Sequence, residues 1–433
     1  MKKGYYIILF IMICLQQLFA QEKEQKTWSE SPWAVGMAMR SAFIPFDTEG
    51  DKYVTTVVPL IYFEGKRFYF WATEGGFIVH RHKNWRFAAI GRMRFFDVPE
   101  QYQNQIQGDA VLWGLQARYI PTELSFVDLE LVSDWRWNYA ANIRAGIRKQ
   151  FGNVRITPNA MLKFKSSDYN SYYYGLNLED INGGMEWSVG VLASIRLWSN
   201  LYVYGTAKIT HLESKVRDVE FVRNEFVPQF FLGAGFSNDY SKPLKEELSI
   251  SPYVRLAHGW ASTASLNEII RFKNTSDPYN NKLTSIFYGH PLTDRIFTLP
   301  VHFFLTSGLV YHWSSSVQKS AVELVLAIKF YVPIPWPVRW RIGFAEGWSY
   351  VNNVPYVERS DLEGKDYNTS NLLNYLDPSL DINIGDIFGG DQLKHFWLGW
   401  SLHHRSGIFG TAQQFGRISG GSNYNTVYLL YDF

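Results

Sequence analysis

The chain has 433 residues, a formal charge of +2, 46% hydrophobic residues and an aromatic share of 17%. With both early lysines removed the charge is near zero, which gives no basic surface for nucleic acid and excludes it as a partner. The mean hydropathy is −0.17 and no run of about 18 apolar residues follows the first twenty, which excludes helices that span a membrane.

The chain opens with an address. Lys2 and Lys3 precede an apolar run from Tyr5 to Leu15, and Leu18-Phe19-Ala20 supplies small-residue cleavage chemistry before Gln21. Residues 1–20 read as a secretory signal peptide. The single cysteine, Cys14, lies inside it, so the mature chain has no disulfide, thiolate metal site or Cys nucleophile. Residues 21–32 are polar and charged and read as a periplasmic N-terminal segment.

From residue 33 the chain alternates between apolar and polar residues, the period of a half-exposed strand. Segments 33–43, 54–63, 67–79, 85–96, 110–119, 124–133, 137–148, 154–164, 187–197, 201–211 and 226–236 each carry it. That is ten or eleven spans, and single-chain bacterial barrels use even numbers, so ten or twelve are expected. The aromatic excess suits the interfacial girdles of such barrels. Glu64-Gly65-Lys66 reads as a tight turn, and Tyr172-Tyr173-Tyr174 as part of a girdle. His80 and His82 have metal-compatible spacing but no third ligand nearby, and no metal site is expected.

Residues 237–247 are polar with one proline and read as a linker. Alternation then resumes at 248–260, 283–288, 299–313, 322–332, 338–350, 379–387, 396–404 and 424–433. Eight strands suffice for a small closed barrel. Residues 267–281 and 355–377 read as long outer loops, and Pro333-Ile334-Pro335-Trp336-Pro337 as a turn. The last strand ends in Phe433, and residues 226–236 end in Phe236 in the same manner. The expected fold is therefore all-β: a transmembrane antiparallel β-barrel, with units at 33–236 and 248–433 in tandem. The alternative is one wide barrel of about 18 strands, with the strand at Trp33 paired to that at Phe433.

Three stretches of the first unit carry a resemblance. Pro59-Leu60-Ile61-Tyr62-Phe63-Glu64-Gly65-Lys66-Arg67-Phe68, then Ser166-Ser167-Asp168-Tyr169-Asn170-Ser171-Tyr172-Tyr173-Tyr174-Gly175, and the segment from Tyr202 to Phe236 resemble the MipA/OmpV family of outer-membrane proteins. The likeness covers about residues 29–236. It implies localisation in the cell outer membrane and a scaffold or permeability role in the envelope. It also implies periplasmic murein-processing enzymes as partners, because some family members are described as linking such enzymes.

The strongest chemical candidate is Ser401-Leu402-His403-His404-Arg405-Ser406-Gly407 on the penultimate strand. Residues i and i+2 share a strand face, so His404 and Ser406 point the same way, as a base and the hydroxyl it activates must. The stretch resembles the His-x-Ser of lipid A deacylases of the PagL type, which are small outer-membrane barrels. That resemblance implies His404 as base, Ser406 as nucleophile and an ester of lipid A as substrate. Arg405 and Arg417 would meet lipid or lipopolysaccharide phosphates, which Arg pairs bidentately. No Asp or Glu occurs between Ser406 and Asp432, so the expected acid must come from elsewhere, with Glu346 and Asp386 the nearest candidates. The alternative is structural: His403 and His404 as interfacial residues, Ser406 as the start of a loop. No motif implies a cofactor.

Overall fold

The structure, a computed structural model, describes residues 28–29, 32–47, 52–95, 97–98, 111–198, 200–238, 246–271, 273–365, 369–407 and 421–433. Residues 1–20, read above as a signal peptide, most of the 21–32 and 237–247 segments, and Arg417 lie outside these residues.

Two separate barrels form. The first contains β1 (Trp33–Phe43), β2 (Tyr53–Glu64), β3 (Phe68–Trp71), β4 (Glu74–His82), β5 (Trp85–Met93), β6 (Val111–Thr122), β7 (Ser125–Ser133), β8 (Tyr139–Ile147), β9 (Val154–Lys165), β10 (Gly184–Trp198), β11 (Leu201–His211) and β12 (Phe226–Ser237). Neighbours in sequence pair antiparallel, and β12 returns to β1, with Ser237 opposite Ala34 and Gln229 opposite Ala42. The second contains β13 (Tyr253–Ser262), β14 (Lys282–Thr293), β15 (His302–His312), β16 (Ala321–Ile334), β17 (Trp340–Val351), β18 (Leu372–Leu376) continued by β19 (Ser379–Asn383), β20 (Phe396–Ser406) and β21 (Gly421–Asp432). Its last strand pairs with its own first, Asp432 opposite Tyr253 and Asn423 opposite Ser262. Each unit thus closes on itself, and the single wide barrel is excluded. Every strand thereby gains a neighbour on each side, as a sheet in lipid requires, although short β3 reaches β2 only at Tyr62–Glu64.

The distribution of side chains is that of a membrane barrel. Along β1 the outward Met39 is 56% exposed while the inward Arg40 is 1% exposed. Apolar groups face out and charges face in, the reverse of a soluble domain. In the first lumen the charges neutralise one another. Arg92 reaches Glu74 at 2.5 Å and Glu130 at 2.7 Å, and Asp128 holds Arg118 at 2.6 Å and Arg144 at 2.8 Å. In the second, Asp377 joins Arg255 and Lys329, both at 2.7 Å, and Arg341 joins Asp381 at 2.7 Å. In both barrels the longest connections gather at one end, the loop end, and the shorter ones at the other, the turn end; barrels place their long loops outside the cell.

The barrels stand side by side with the same polarity. At the turn end, Trp33, Val35, Ile61 and Phe63 of the first pack with Leu292, Ile296, Phe303, Leu305 and Ile328 of the second. Phe236 meets the ring of Phe297 at 5.6 Å. At the loop end, Val57, Met93 and Val111 pack against a cluster of Leu362, Leu372 and Leu373. Trp113 and Trp135 lie 6.5 and 6.3 Å from Tyr350.

Four sequence expectations change. Residues 67–79 form two strands, not one: Ala72 takes φ 56° and the chain reverses, which brings the wall to twelve strands. No Asn-Gly or Asp-Gly marks this turn, so it was hidden in an apolar run. Gly75 and Gly76 make room there, because a Cβ would meet the rings of Phe70 and Tyr69. The three tyrosines are not a girdle. They belong to or adjoin α1 (Ser167–Tyr173), whose N-terminus Ser166 caps through the Tyr169 amide. Tyr169 and Tyr173 pack into the lumen with Ile90, Leu112 and Val132, and Tyr173 bonds Asp134. Residues 355–377 are not loop alone but hold α3 (Tyr356–Glu363) and β18, since Glu358 follows the inward Arg405 into the barrel mouth. Residues 379–387 divide into β19 and α4 (Ile384–Phe388), because Asn383 accepts from the Asp386 amide and starts a helix.

Candidate active site

Side chains of β20 alternate strictly. His403 and Arg405 point inward, where the His403 ring lies 3.1 Å from Glu323 and the Arg405 guanidinium donates to Glu358 at 2.9 Å. Leu398, Trp400, Leu402, His404 and Ser406 therefore point outward, with Leu398 and Trp400 exposed on the lipid-facing wall. His404 and Ser406 stand at the loop end of this face. His404 Nε2 is 2.8 Å from Ser406 Oγ, and His404 Nδ1 is 2.6 Å from Asn423 Oδ1.

Asn423 comes from β21, directly opposite His404 in the ladder. Its orientation follows from a third partner: Asn423 Nδ2 donates to the Ala264 carbonyl at 2.8 Å. A carbonyl only accepts, so the amide nitrogen must face Ala264 and the amide oxygen must face His404. An oxygen facing Nδ1 requires the proton on Nδ1. The lone pair is then on Nε2, where it faces the Ser406 hydroxyl. The tautomer is the one a general base needs.

The Ala264 carbonyl is itself held. Ser262 Oγ donates to the Thr275 carbonyl at 2.9 Å and accepts from the Ala264 amide at 3.2 Å. The next residues begin α2 (Leu266–Ile270), closed by a capping box between Ser265 and Glu268. Ala264 and Ile269 pack over Leu402 on the outer wall. This cover leaves His404 only 7% exposed, while Ser406 is half-buried.

The sequence-derived residues separate here. His404 and Ser406 come together. Arg405 does not join them: it is 0% exposed inside the barrel, bonded to Glu358 and Ser349, and cannot reach lipid phosphate. Strand alternation is the reason, since His404 faces out and its neighbour must face in. Neither carboxylate expected as the third member is near. Glu346 is two strands away, opposite Leu376, which is in turn opposite His404. Asp386 lies at the turn end and accepts three bonds from Arg339, at 2.8–2.9 Å. The third member is an amide, Asn423. Its signal was a polar residue at an outward position of a lipid-facing strand. Among the described residues no three of His, Cys, Asp and Glu gather as a metal site.

The chain has relatives. Residues 35–238 match the family described as MltA-interacting protein MipA. The match begins in β1 and ends one residue past β12, so it lies on the first barrel. MltA-interacting protein of Escherichia coli (strain K12) is 26% identical over 192 residues, covering 38% of this chain and 74% of that protein. The Shigella flexneri protein of the same name matches to the same extent. Among solved structures, Pseudomonas aeruginosa OccK5 (OpdH) covers 94% of this chain and 99% of its own at 7% identity, with a TM-score of 0.24. A bacterial polysaccharide outer membrane secretin covers 92% and 98% at 10% identity, with a TM-score of 0.23. The membrane-type barrel and the MipA likeness point together to the bacterial outer membrane.

Proposed function

We propose that the protein is an outer-membrane serine esterase, with Ser406 as nucleophile, His404 as general base and Asn423 as the group that holds the base. The observation that carries this reading is the position of His404 between Ser406 Oγ and Asn423 Oδ1, in the one tautomer that activates the hydroxyl. Asn in the third place orients imidazole as a carboxylate does but brings no charge to the imidazolium. The site opens on the outer wall at the loop end, the level of the outer leaflet. Its substrate class is the acyl ester of an envelope lipid, with lipid A the one available at that depth. Treatment of the purified protein with a fluorophosphonate tests the nucleophile. Mass spectrometry locating the adduct on Ser406, absent from Ser406→Ala, supports the assignment; no adduct on Ser406 sinks it.

A second reading concerns the first barrel. Its likeness to MltA-interacting protein favours a scaffold that docks a periplasmic murein-processing enzyme. The lumen favours docking over conduction, because the ion-pair ladder from Glu74 to Arg144 and the tyrosines of α1 occupy it. Crosslinking in cells tests this: murein enzymes should be recovered with the intact chain and lost when residues 21–31 are deleted. Empty pull-downs from the intact chain count against it.

A further inference from the structure

We infer that Asn374 is a further catalytic residue, donating a hydrogen bond to the oxyanion formed at Ser406; this rests on the esterase reading above. The ladder places Trp348 opposite Asn374, and Asn374 opposite Ser406. The three stand in one row on the outward face, since Ser349 and Tyr375 beside them are turned inward to Glu323 and Asp377. Directly opposed residues hold their Cβ atoms about 4.5–5.5 Å apart. The next row down holds Leu376, His404 and Asn423, the base and its support.

Asn374 is 1% exposed, yet neither its Nδ2 nor its Oδ1 has a hydrogen-bond partner. The indole Nε1 of Trp348 in the same row is also buried without one. Around them the wall is apolar, with Leu372 packed against Met93 and Val111 of the first barrel. A buried amide in such a place forfeits its hydration and recovers nothing in the resting protein. The partner that would satisfy it is one that exists only during reaction, beside Ser406.

The step balances as follows. Ser406 Oγ bonds to the ester carbonyl carbon, its proton passes to His404 Nε2, and the carbonyl π pair moves onto oxygen. Asn374 Nδ2–H donates to that oxygen. The carbonyl then re-forms, the bond to the alcohol oxygen breaks, and His404 returns the proton to the departing alcohol. Water repeats the sequence on the acyl-serine and releases the fatty acid.

The test uses the full chain in detergent micelles with a long-chain p-nitrophenyl ester. Asn374→Ala removes the donor. Asn374→Asp keeps the shape and replaces the donor with an acceptor. Both should lower kcat by about 10²–10³-fold with KM little changed, the usual loss for one oxyanion donor. Ser406 should still take up fluorophosphonate at long times, and the barrel should keep its folded mobility on unheated gels. Should the alanine variant not fold, the aspartate variant decides. Unchanged kcat in a folded variant whose Ser406 still labels overturns this inference and leaves the esterase reading intact. A wild-type protein that neither hydrolyses the ester nor labels at Ser406 overturns the esterase reading and this inference together.

Discussion

The carboxamide oxygen of Asn423 meets His404 Nδ1 at 2.6 Å across the last strand pair, while its nitrogen is spent on the carbonyl of Ala264. The amide is therefore fixed at both ends and cannot rotate to present its donor to the ring. Replacing Asn423 with Ala frees the imidazole to take the other tautomer, and a loss of about 10²–10⁴-fold in ester hydrolysis is expected, the contribution of a positioned base. Asn423→Asp returns an acceptor, adds charge for the imidazolium, and should retain far more activity than Asn423→Ala. Steady-state rates of the two variants, measured side by side, check the order.

The first barrel depends on its internal charges. Asp128 is fully buried and accepts from both Arg118 and Arg144. Asp128→Asn keeps the shape but takes the carboxylate from Arg118 and leaves Arg144 only Glu74 and Glu130, both at 3.4 Å. Breaking one side of a buried pair costs about 3–5 kcal/mol. A lower unfolding free energy for the variant, by an amount in that range from urea titrations in lipid vesicles, is the expected outcome.

The contact between barrels predicts a different phenotype. Ile61 faces outward yet is 2% exposed, because the second barrel covers it. Ile61→Arg puts a charge into that seam without touching either lumen. With the chain cut between residues 238 and 246, the wild-type barrels should co-purify in mild detergent and the variant's should part. Met39→Arg, on the open wall of the same barrel, should leave the association unchanged.

At the turn end, Arg339 donates to Asp386 through its side chain and its backbone amide, and these bonds lower the Asp386 carboxyl from 3.8 to about 2. A depressed carboxyl contributes stability above its unfolded value and loses it as pH falls through its folded value. The advantage of wild type over Asp386→Asn should be constant above about pH 5 and vanish between about pH 4 and 2. Arg339 is well exposed, so solvent screening keeps the difference small. Urea titrations across that window measure it.

Much of the architecture was legible because a barrel writes its period into every strand. The aromatic ends at Phe236 and Phe433 marked two closures, and the strand pairs Ser237–Ala34 and Asp432–Tyr253 are their physical form. What escaped were features set by long-range register or by the lumen. Ala72 reverses the chain without a turn residue, and α1 and α3 are drawn inward by partners far along the chain, Asp134 for Tyr173 and Arg405 for Glu358. At the site, the spacing of His404 and Ser406 gave their common face. Asn423 and Asn374 could not be seen beside them, because which residue lies opposite depends on pairing, not on spacing. Their trace was chemical: two amides at outward positions of the barrel wall, where apolar residues are expected.

The most direct measurement is release of fatty acid from purified lipopolysaccharide by the full-length protein and by Ser406→Ala, both folded in the same detergent. Release by the wild type, and none above background by the variant, is the outcome this site predicts. Equal release from both, or none from either, would contradict it.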